Sequence, residues 1–101
     1  NLEGDTKREA RQALTMRLTR MKDTTLADYF TDEDPEIRRA AALASGTKGI
    51  LSHVNLLIKM LRDGDEQVRR AAHAALKATT GKAIDLDPAA WDKWYRETRR
   101  E

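Results

Sequence analysis

One eleven-residue segment occurs twice in the chain, at an offset of 31 positions. Residues 34–44 read DPEIRRAAALA, and residues 65–75 read DEQVRRAAHAA. A fixed offset held over this length indicates an internal repeat, and a period of about thirty residues is typical of stacked helix–turn–helix units. Such a unit cannot bury both of its faces alone, so the units have to lie side by side.

The composition predicts a single all-α domain over residues 1–101. Alanine, leucine and arginine are frequent and there are only two prolines, which favours helix at nearly every position. The absence of cysteine excludes disulfides, thiolate metal sites and cysteine nucleophiles, and it leaves the redox compartment and the localisation open. No apolar run approaches about 18 residues, so no membrane insertion is predicted. The net charge of +2 is small, which predicts no strong general attraction to nucleic acid.

The spacing of apolar residues predicts an N-terminal capping helix over residues 5–22. Asp5 or Thr6 is the predicted N-cap, since either side chain can accept the unpaired amide hydrogens of the first turn. Met16 lies off the apolar stripe and is expected to be partly exposed. The stripe itself consists of Ala10, Ala13, Leu14, Leu18 and Met21.

The first repeat is predicted over residues 24–46, with a short first helix at 24–31 capped by Asp23. In its second helix Asp34 caps and Pro35 takes the first helical position, where its missing amide hydrogen costs nothing. Gly46 is predicted to end this helix in a left-handed conformation. The apolar residues of the two helices are Leu26, Tyr29 and Phe30, then Ile37, Ala40, Ala41 and Ala44.

The second repeat is predicted over residues 49–80 on the same plan. Gly49 opens its first helix, Asp63 and Gly64 form the turn, Asp65 caps the second helix, and Gly81 ends it. The buried faces are predicted to contain Ile50, Val54, Leu57, Ile58 and Leu61 in the first helix and Val68, Ala71, Ala72, Ala75 and Leu76 in the second.

A C-terminal capping helix is predicted over residues 87–98, opened by Asp87 and Pro88 and followed by a charged tail at 96–101. It carries Trp91, Trp94 and Tyr95. A solenoid needs special end pieces that cover its last helices. Burying an indole of roughly 200 Å² stabilises the fold by several kcal/mol as an upper bound. These aromatics are therefore predicted to seal the end of the stack.

The two copies at 34–41 and 65–72 resemble the second helix of HEAT repeats, most closely the short type known from phycobilisome-lyase-like proteins. The ending from Thr80-Gly81 to Trp91 is similar to the terminal cap of certain bacterial HEAT-repeat proteins. The resemblance covers residues 24–97 and implies an all-α, right-handed α-α superhelix of stacked hairpins, a short solenoid that acts as a protein-binding scaffold. The lyases that share this repeat type attach or detach bilins, but two repeats provide little of such an enzyme.

The resemblance also implies roles for single residues. The repeat arginine corresponds to Arg38 and Arg69 and is expected to pair with acidic residues between repeats, here Asp34 and Asp65. Leu76 occupies the position of a family leucine, whereas the first copy has Ser45 there, with Leu43 two positions earlier. This departure predicts either atypical packing of the first repeat or a Leu43 that is offered to a partner.

The helical period of about 100° per residue turns one side of the second helices outward. Arg39 and Leu43 in the first copy and Arg70, His73 and Lys77 in the second are the candidate partner-binding residues. This face is either a solvated surface, a groove for a protein or peptide, or a row of cations for nucleic acid. Acidic neighbours and the lack of interleaved aromatics favour protein over nucleic acid.

No catalytic, metal or cofactor site is predicted. His53 and His73 lie on different helices, with no cysteine to complete a metal site, so we expect an exposed His73 and a partly packed His53. The segments 46–49 and 81–82 lack the spacing of phosphate loops and are predicted turns, and residues 63–65 lack the remaining ligands of a calcium loop.

The sequence thus predicts a non-enzymatic interaction or scaffolding module. Two alternatives stay open: a nucleic-acid-binding module, and a structural terminal segment of a longer repeat protein. A chain that starts at Asn1 without a charged-then-apolar leader is expected to be excised or processed.

Overall fold

The computed structural model describes the backbone of residues 2–99 and the side chains of residues 7–99. Every regular element in this part of the chain is helical and none is a strand, which confirms the predicted all-α class. The predicted tail residues Arg100 and Glu101 lie outside the described residues. The helices are α1 (Leu2–Thr19), α2 (Asp23–Asp28), α3 (Pro35–Lys48), α4 (Val54–Met60), α5 (Glu66–Thr80) and α6 (Pro88–Arg99), with short 3-10 helices at Tyr29–Thr31 and Leu51–His53.

The predicted caps of the three later helices are confirmed. An oxygen of the Asp34 side chain accepts from the Glu36 amide at 2.9 Å, and one of Asp65 accepts from the Val68 amide at 3.1 Å. The Asp87 carboxylate likewise accepts from the Ala89 amide at 3.1 Å. Each bond satisfies an amide that has no partner within its helix.

Gly46 does not end α3, contrary to the prediction. The helix continues to Lys48, and Gly49 takes the left-handed conformation at φ 64°. Gly49 therefore closes α3 and does not open the next helix. Gly46 instead lies at a close contact between helices, because a Cβ atom built on it would lie 2.8 Å from the Cα of Ala75 in α5. At the end of α5, Gly81 does adopt the predicted left-handed conformation, at φ 72°.

The starts of the first two helices also differ from the prediction. The backbone of α1 is helical from Leu2, so Asp5 and Thr6 lie inside the helix and cannot be its N-cap; their side chains lie outside the described ones. Helix α2 begins at Asp23, and the residue at its N-cap is Lys22, which makes no capping bond.

Helix α3 contacts both α1 and α5. Contacts between the starts and between the ends of neighbouring helices show that the three run parallel. Arg11 pairs with Glu36 near the start of α3, and the Lys48 ammonium bonds the carbonyl of Met21 at its end. The other helices are packed against this row: α2 and the following 3-10 helix on α3, α4 on α5, and α6 on α4. No helix in the described part of the chain is long and apolar enough to cross a membrane.

The predicted faces of α4 and α5 are buried throughout, from Val54 to Leu61 and from Val68 to Leu76. Helix α3 buries its predicted alanines and also Ala42. Ala42 is covered because α3 has a helix on both sides. Among the described side chains of α1, residues 7–19, only Leu18 is buried: Ala10 and Ala13 are exposed, contrary to the predicted stripe, and Leu14 is half-buried. Met21, which follows the helix, is also half-buried.

Helix α1 lies against α3 as α5 does, and its sequence shares part of the pattern of the second helices. Gln12 and Met16 line the same hollow as Arg39 and Leu43, which sets a register of 27 residues between α1 and α3. In that register α1 shares Arg11, Ala13 and Leu18 with the pattern of Arg69, Ala71 and Leu76 in α5.

A buried polar pair explains why Ser45 replaces the leucine of the second copy. Ser45 and His53 are both buried, and their Oγ and Nδ1 atoms lie 2.9 Å apart. The other ring nitrogen of His53 lies 2.9 Å from the carbonyl oxygen of Asp23, which can only accept. Nε2 therefore carries the hydrogen, and in the neutral ring Nδ1 accepts from the Ser45 hydroxyl. This network connects α2, α3 and the 3-10 helix before α4.

The repeat arginines have a different partner from the one predicted. Arg38 binds the Asp63 carboxylate through Nε at 2.9 Å and Nη2 at 3.1 Å, and its Nη1 donates to the carbonyls of Asp32 and Glu33. Arg69 donates to the carbonyl of Asp63. Asp34 and Asp65 are helix caps, so the predicted pairing with them is wrong. The bond to Asp63 raises the pKa of Arg38, which stays charged.

The pair also predicts a pH dependence of stability. Burial by itself raises the pKa of Asp63, but the hydrogen bonds from Arg38 and the Asp65 amide, with the charge of Arg38, outweigh burial and lower it. A carboxyl whose pKa is lowered on folding adds stability above its unfolded-state pKa, and that stability is lost as the pH falls through the folded-state pKa. We expect Asp63→Asn to lower the free energy of unfolding by about 1 kcal/mol at neutral pH.

Urea denaturation of the wild type and of Asp63→Asn between neutral pH and about pH 2 measures the difference in their free energies of unfolding. This difference is expected to shrink below about pH 4. Asp85→Asn is the matched control, because the exposed Asp85 carboxylate makes no hydrogen bond among the described residues. A difference that stays constant down to the lowest pH would contradict the assignment of Asp63.

Candidate binding surface

The outward sides of α1, α3 and α5 form one continuous surface, here called the α1/α3/α5 surface. Two open hollows of about 360 and 200 Å³ lie between the neighbouring helices. They adjoin each other, because Arg39 and Leu43 of α3 line both. The first hollow is completed by Arg11, Gln12, Thr15 and Met16, and the second by Gln67, Arg70, Ala71 and Ala74.

The floor of the surface is apolar. Met16 is 59% exposed and faces the same hollow as the half-buried Leu43. Ala74 continues the apolar strip into the second hollow. An exposed methionine is a flexible and polarizable contact that adapts to different partner side chains. The strip can therefore bury apolar groups of a ligand without reorganising the helices.

Guanidinium groups lie along this strip. Arg11 pairs with Glu36 at 3.1 Å and Arg70 pairs with Glu66 at 2.8 Å, both on exposed side chains. Arg39 makes no hydrogen bond or ion pair with any residue between 7 and 99, although it lines both hollows. Arg39 can therefore donate hydrogen bonds to a ligand without first breaking an ion pair.

The structure brings together three of the five predicted surface residues. Arg39, Leu43 and Arg70 line adjoining hollows, and Lys77 is exposed on the last turn of α5 but lines neither. The prediction for His73 is wrong. Its Nε2 lies 2.7 Å from the carbonyl oxygen of Ile84, and its ring is half-buried and edge-on to Trp91. The segment after Gly81 folds back across α5 and covers this histidine.

The sequence prediction missed the contribution of α1. Gln12, Thr15 and Met16 line the first hollow because α1 lies parallel to α3 and in register with it. One signal was available: Met16 falls off the apolar stripe of its helix and was expected to be partly exposed. The 27-residue register of α1 with α3 differs from the 31-residue offset of the two copies, so the likeness of α1 to them was not visible in the sequence.

The aromatic residues of α6 pack at the other end of the row. Trp91 is fully buried, and its Nε1 donates to the carbonyl of Asp85 at 2.9 Å. Trp94 is half-buried and edge-on to Trp91, with ring centroids 5.7 Å apart. Tyr95 is half-buried beneath the Arg99 guanidinium, 5.5 Å from its ring centroid. Aromatic pairs with this edge-to-face geometry add to the stability that burial provides.

Comparison with protein families gives one match. The family model described as HEAT repeats matches residues 1–77 and 24–101, which together span the chain. No curated protein and no solved structure matches. HEAT repeats generally mediate protein–protein interaction or scaffolding, and the family is typically non-enzymatic. The match, together with the parallel row of second helices, leads to one conclusion: the chain belongs to the HEAT-repeat family.

Proposed function

We propose that this chain is a non-enzymatic scaffolding module that binds a partner protein on the α1/α3/α5 surface. The observation that carries the proposal is the apolar strip of Met16 and Leu43 beside Arg39, whose donors have no partner among residues 7–99. Interfaces combine apolar anchors with arginine, which binds carboxylates through two donors. The partner we infer is an acidic peptide segment with apolar side chains.

We further propose that the row of parallel helices follows a right-handed superhelix, of the short type found in phycobilisome-lyase-like proteins. In this proposal Trp91, Trp94 and Tyr95 form a cap of the bacterial type. The complete burial of Trp91 supports the cap, because it closes the apolar side of α5 and α4 against solvent. The Arg38–Asp63 pair supports a repeated link between neighbouring hairpins.

Charge reversal tests the binding surface. Panning of a displayed random-peptide library on the wild-type protein is expected to enrich acidic segments that contain apolar residues. We expect Arg39→Glu combined with Arg70→Glu to weaken binding of the enriched peptides at least about tenfold, which is about 1.4 kcal/mol. The measurement is fluorescence anisotropy at fixed ionic strength.

Lys82→Glu combined with Lys93→Glu is the matched control. Both lysines are exposed and lie away from the surface, so the protein undergoes the same change in net charge. Equal weakening by the two double variants would show that net charge alone attracts the peptides. Enrichment of peptides without acidic residues would contradict the proposed partner class.

A nucleic-acid ligand is the second candidate, because Arg39 and Arg70 from neighbouring helices line one hollow. Phosphates bind such rows of cations, and the affinity then falls steeply with salt. Glu36 and Glu66 already pair with Arg11 and Arg70, which favours the protein partner. Titration of mixed-sequence duplexes separates the two candidates: no binding at low salt removes this one.

A further inference from the structure

Six residues of the α1/α3/α5 surface form two rows that cross the three helices. Each helix contributes two of these residues, four positions apart and therefore on the same side of the helix. The distance between the two along the helix axis is about 6 Å. The polar row consists of Gln12, Arg39 and Arg70, and the apolar row consists of Met16, Leu43 and Ala74.

Contacts between the helices align the rows. Arg11 of α1 bonds Glu36 of α3, which places Gln12 beside Arg39 in the hollow that both line. Arg39 and Arg70 line the second hollow together. Each row therefore passes from one helix to the next at the spacing of packed helix axes, which is about 8–10 Å.

The two hollows are joined across α3. Arg39 and Leu43 line both hollows, so a ligand that crosses α3 reaches both. A ligand that stays between two helices reaches only one. An extended chain covers the distance between neighbouring helices with about three residues, whereas an α-helix needs six or seven. A short segment therefore contacts both arginines only when it is extended.

The spacing of the helices also selects among extended conformations. A polyproline II helix has three residues per turn, so a side chain returns to the same side after about 9 Å. This distance agrees with the spacing of about 8–10 Å between the helices. A β-strand returns a side chain to the same side after about 6.7 Å, which is too short.

The charges of the polar row favour carboxylates. Arg39 has no hydrogen-bond partner among residues 7–99. Arg70 pairs with Glu66 within one exposed turn of α5, and pairs of this kind are weak. A guanidinium binds a carboxylate through two parallel hydrogen bonds, so a ligand carboxylate can engage Arg39 and replace Glu66 at Arg70.

We propose that the α1/α3/α5 surface binds an extended acidic segment of the partner protein, in the polyproline II conformation and crossing the helices. The segment carries an acidic residue at every third position, and neighbouring acidic residues meet Arg39 and Arg70. An apolar residue next to each acidic one contacts the apolar row, and the remaining residue of each turn faces solvent. This inference rests on the proposed function and adds the conformation and spacing of the partner segment.

A dye-labelled peptide of three Glu-Leu-Pro triplets tests the spacing on the full chain. Proline favours polyproline II and opposes helix. A second peptide of Leu-Glu-Pro triplets covers the opposite chain direction. The comparison peptide has the same composition, with its glutamates adjacent to one another. By fluorescence anisotropy, the tighter of the two triplet peptides is expected to bind at least about tenfold more strongly than the comparison peptide.

Gln12→Arg adds a third guanidinium to the polar row. It is expected to strengthen binding of the triplet peptide at least about fivefold and to change the comparison peptide less than about twofold. Thr98→Arg is the matched control, because Thr98 is exposed on α6 and the net charge changes equally. Equal strengthening by the two variants would show that net charge alone acts and would overturn the proposal.

The arginine variant separates this proposal from the proposed function. Equal affinity of the triplet and comparison peptides would overturn the extended mode, and the proposed function would stand if Arg39→Glu with Arg70→Glu weakened both. No effect of that variant on any peptide would contradict the proposed function as well. Tighter binding of a lactam-stapled helical peptide of glutamate and leucine would assign the surface to a helix and overturn the proposal, as would absence of binding by the triplet peptides.

Discussion

Replacing Trp91 with alanine is expected to lower the free energy of unfolding by about 3–5 kcal/mol. The indole is fully buried, so its removal loses a large transfer free energy and leaves a cavity between α4, α5 and α6. It also leaves the carbonyl of Asp85 without its donor. A domain of this size has a net stability of only about 5–15 kcal/mol, so the variant would lose a large fraction of it. Urea denaturation followed by circular dichroism measures the change.

Two variants separate the contributions of Trp91. Trp91→Phe keeps most of the buried ring but removes the hydrogen bond to Asp85, and we expect a loss of about 1–2 kcal/mol. Trp94→Ala is the matched control, because Trp94 is only half-buried, and its loss is expected to be clearly smaller than that of Trp91→Ala. An unchanged denaturation midpoint for Trp91→Ala would contradict the burial of this indole and the proposed end cap.

Gly46→Ala is expected to destabilise the protein by up to about 2 kcal/mol, although alanine is the better helix former. The added methyl group would lie 2.8 Å from the Cα and 2.9 Å from the Cβ of Ala75, so α3 and α5 would have to move apart. Overpacking of this kind costs about 1–3 kcal/mol, while the helix propensity of alanine returns about 1 kcal/mol. Thermal and urea denaturation both report the net effect.

Gly64→Ala provides the control for this prediction. Nothing lies within 4 Å of a Cβ atom built on Gly64, and its φ is not in the left-handed region. We expect its effect to stay within about 0.5 kcal/mol, as for most surface substitutions. A Gly46→Ala variant that is more stable than the wild type would show that α3 and α5 do not approach as closely as described.

Helix caps and the buried faces of α4 and α5 could be predicted because each has a local physical cause. Asp34, Asp65 and Asp87 stand directly before a helix and satisfy its free amides, and this chemistry needs only a few neighbouring residues. The apolar residues of α5 recur at helical spacing, and the helix buries the side that the spacing indicates. Neither inference depends on how distant segments meet.

Apart from the starts of α1 and α2, where the predicted N-caps were wrong, the errors concern contacts between helices. Gly46 and Gly49 are both suitable for a helix end. The close approach of Ala75 to Gly46 explains why α3 continues through Gly46 and ends at Gly49. His73 was assigned to the solvent side of α5, but the segment after Gly81 crosses it and supplies the Ile84 carbonyl. A helical period gives the direction of a side chain but not the segment that covers it.

The candidate surface was predictable only in part for the same reason. Arg39, Leu43 and Arg70 follow from the two clear copies of the second helix. The contribution of Met16 and Gln12 depends on α1 lying in register with α3, and a register of 27 residues could not be derived from a 31-residue offset. The pair of Arg38 and Asp63 was missed because Asp63 lies in a turn, outside the repeated segment.

The Arg38 side chain has a consequence for how the chain loses its structure. Its guanidinium bonds the turn that precedes its own helix and also the carboxylate of Asp63 before α5. If one hairpin opened alone, the Arg38 guanidinium would lose its hydrogen bonds to that hairpin, while the other hairpin stayed folded. The bonds of Arg38 therefore favour the joint opening of the two hairpins, against the modular character of a repeat protein.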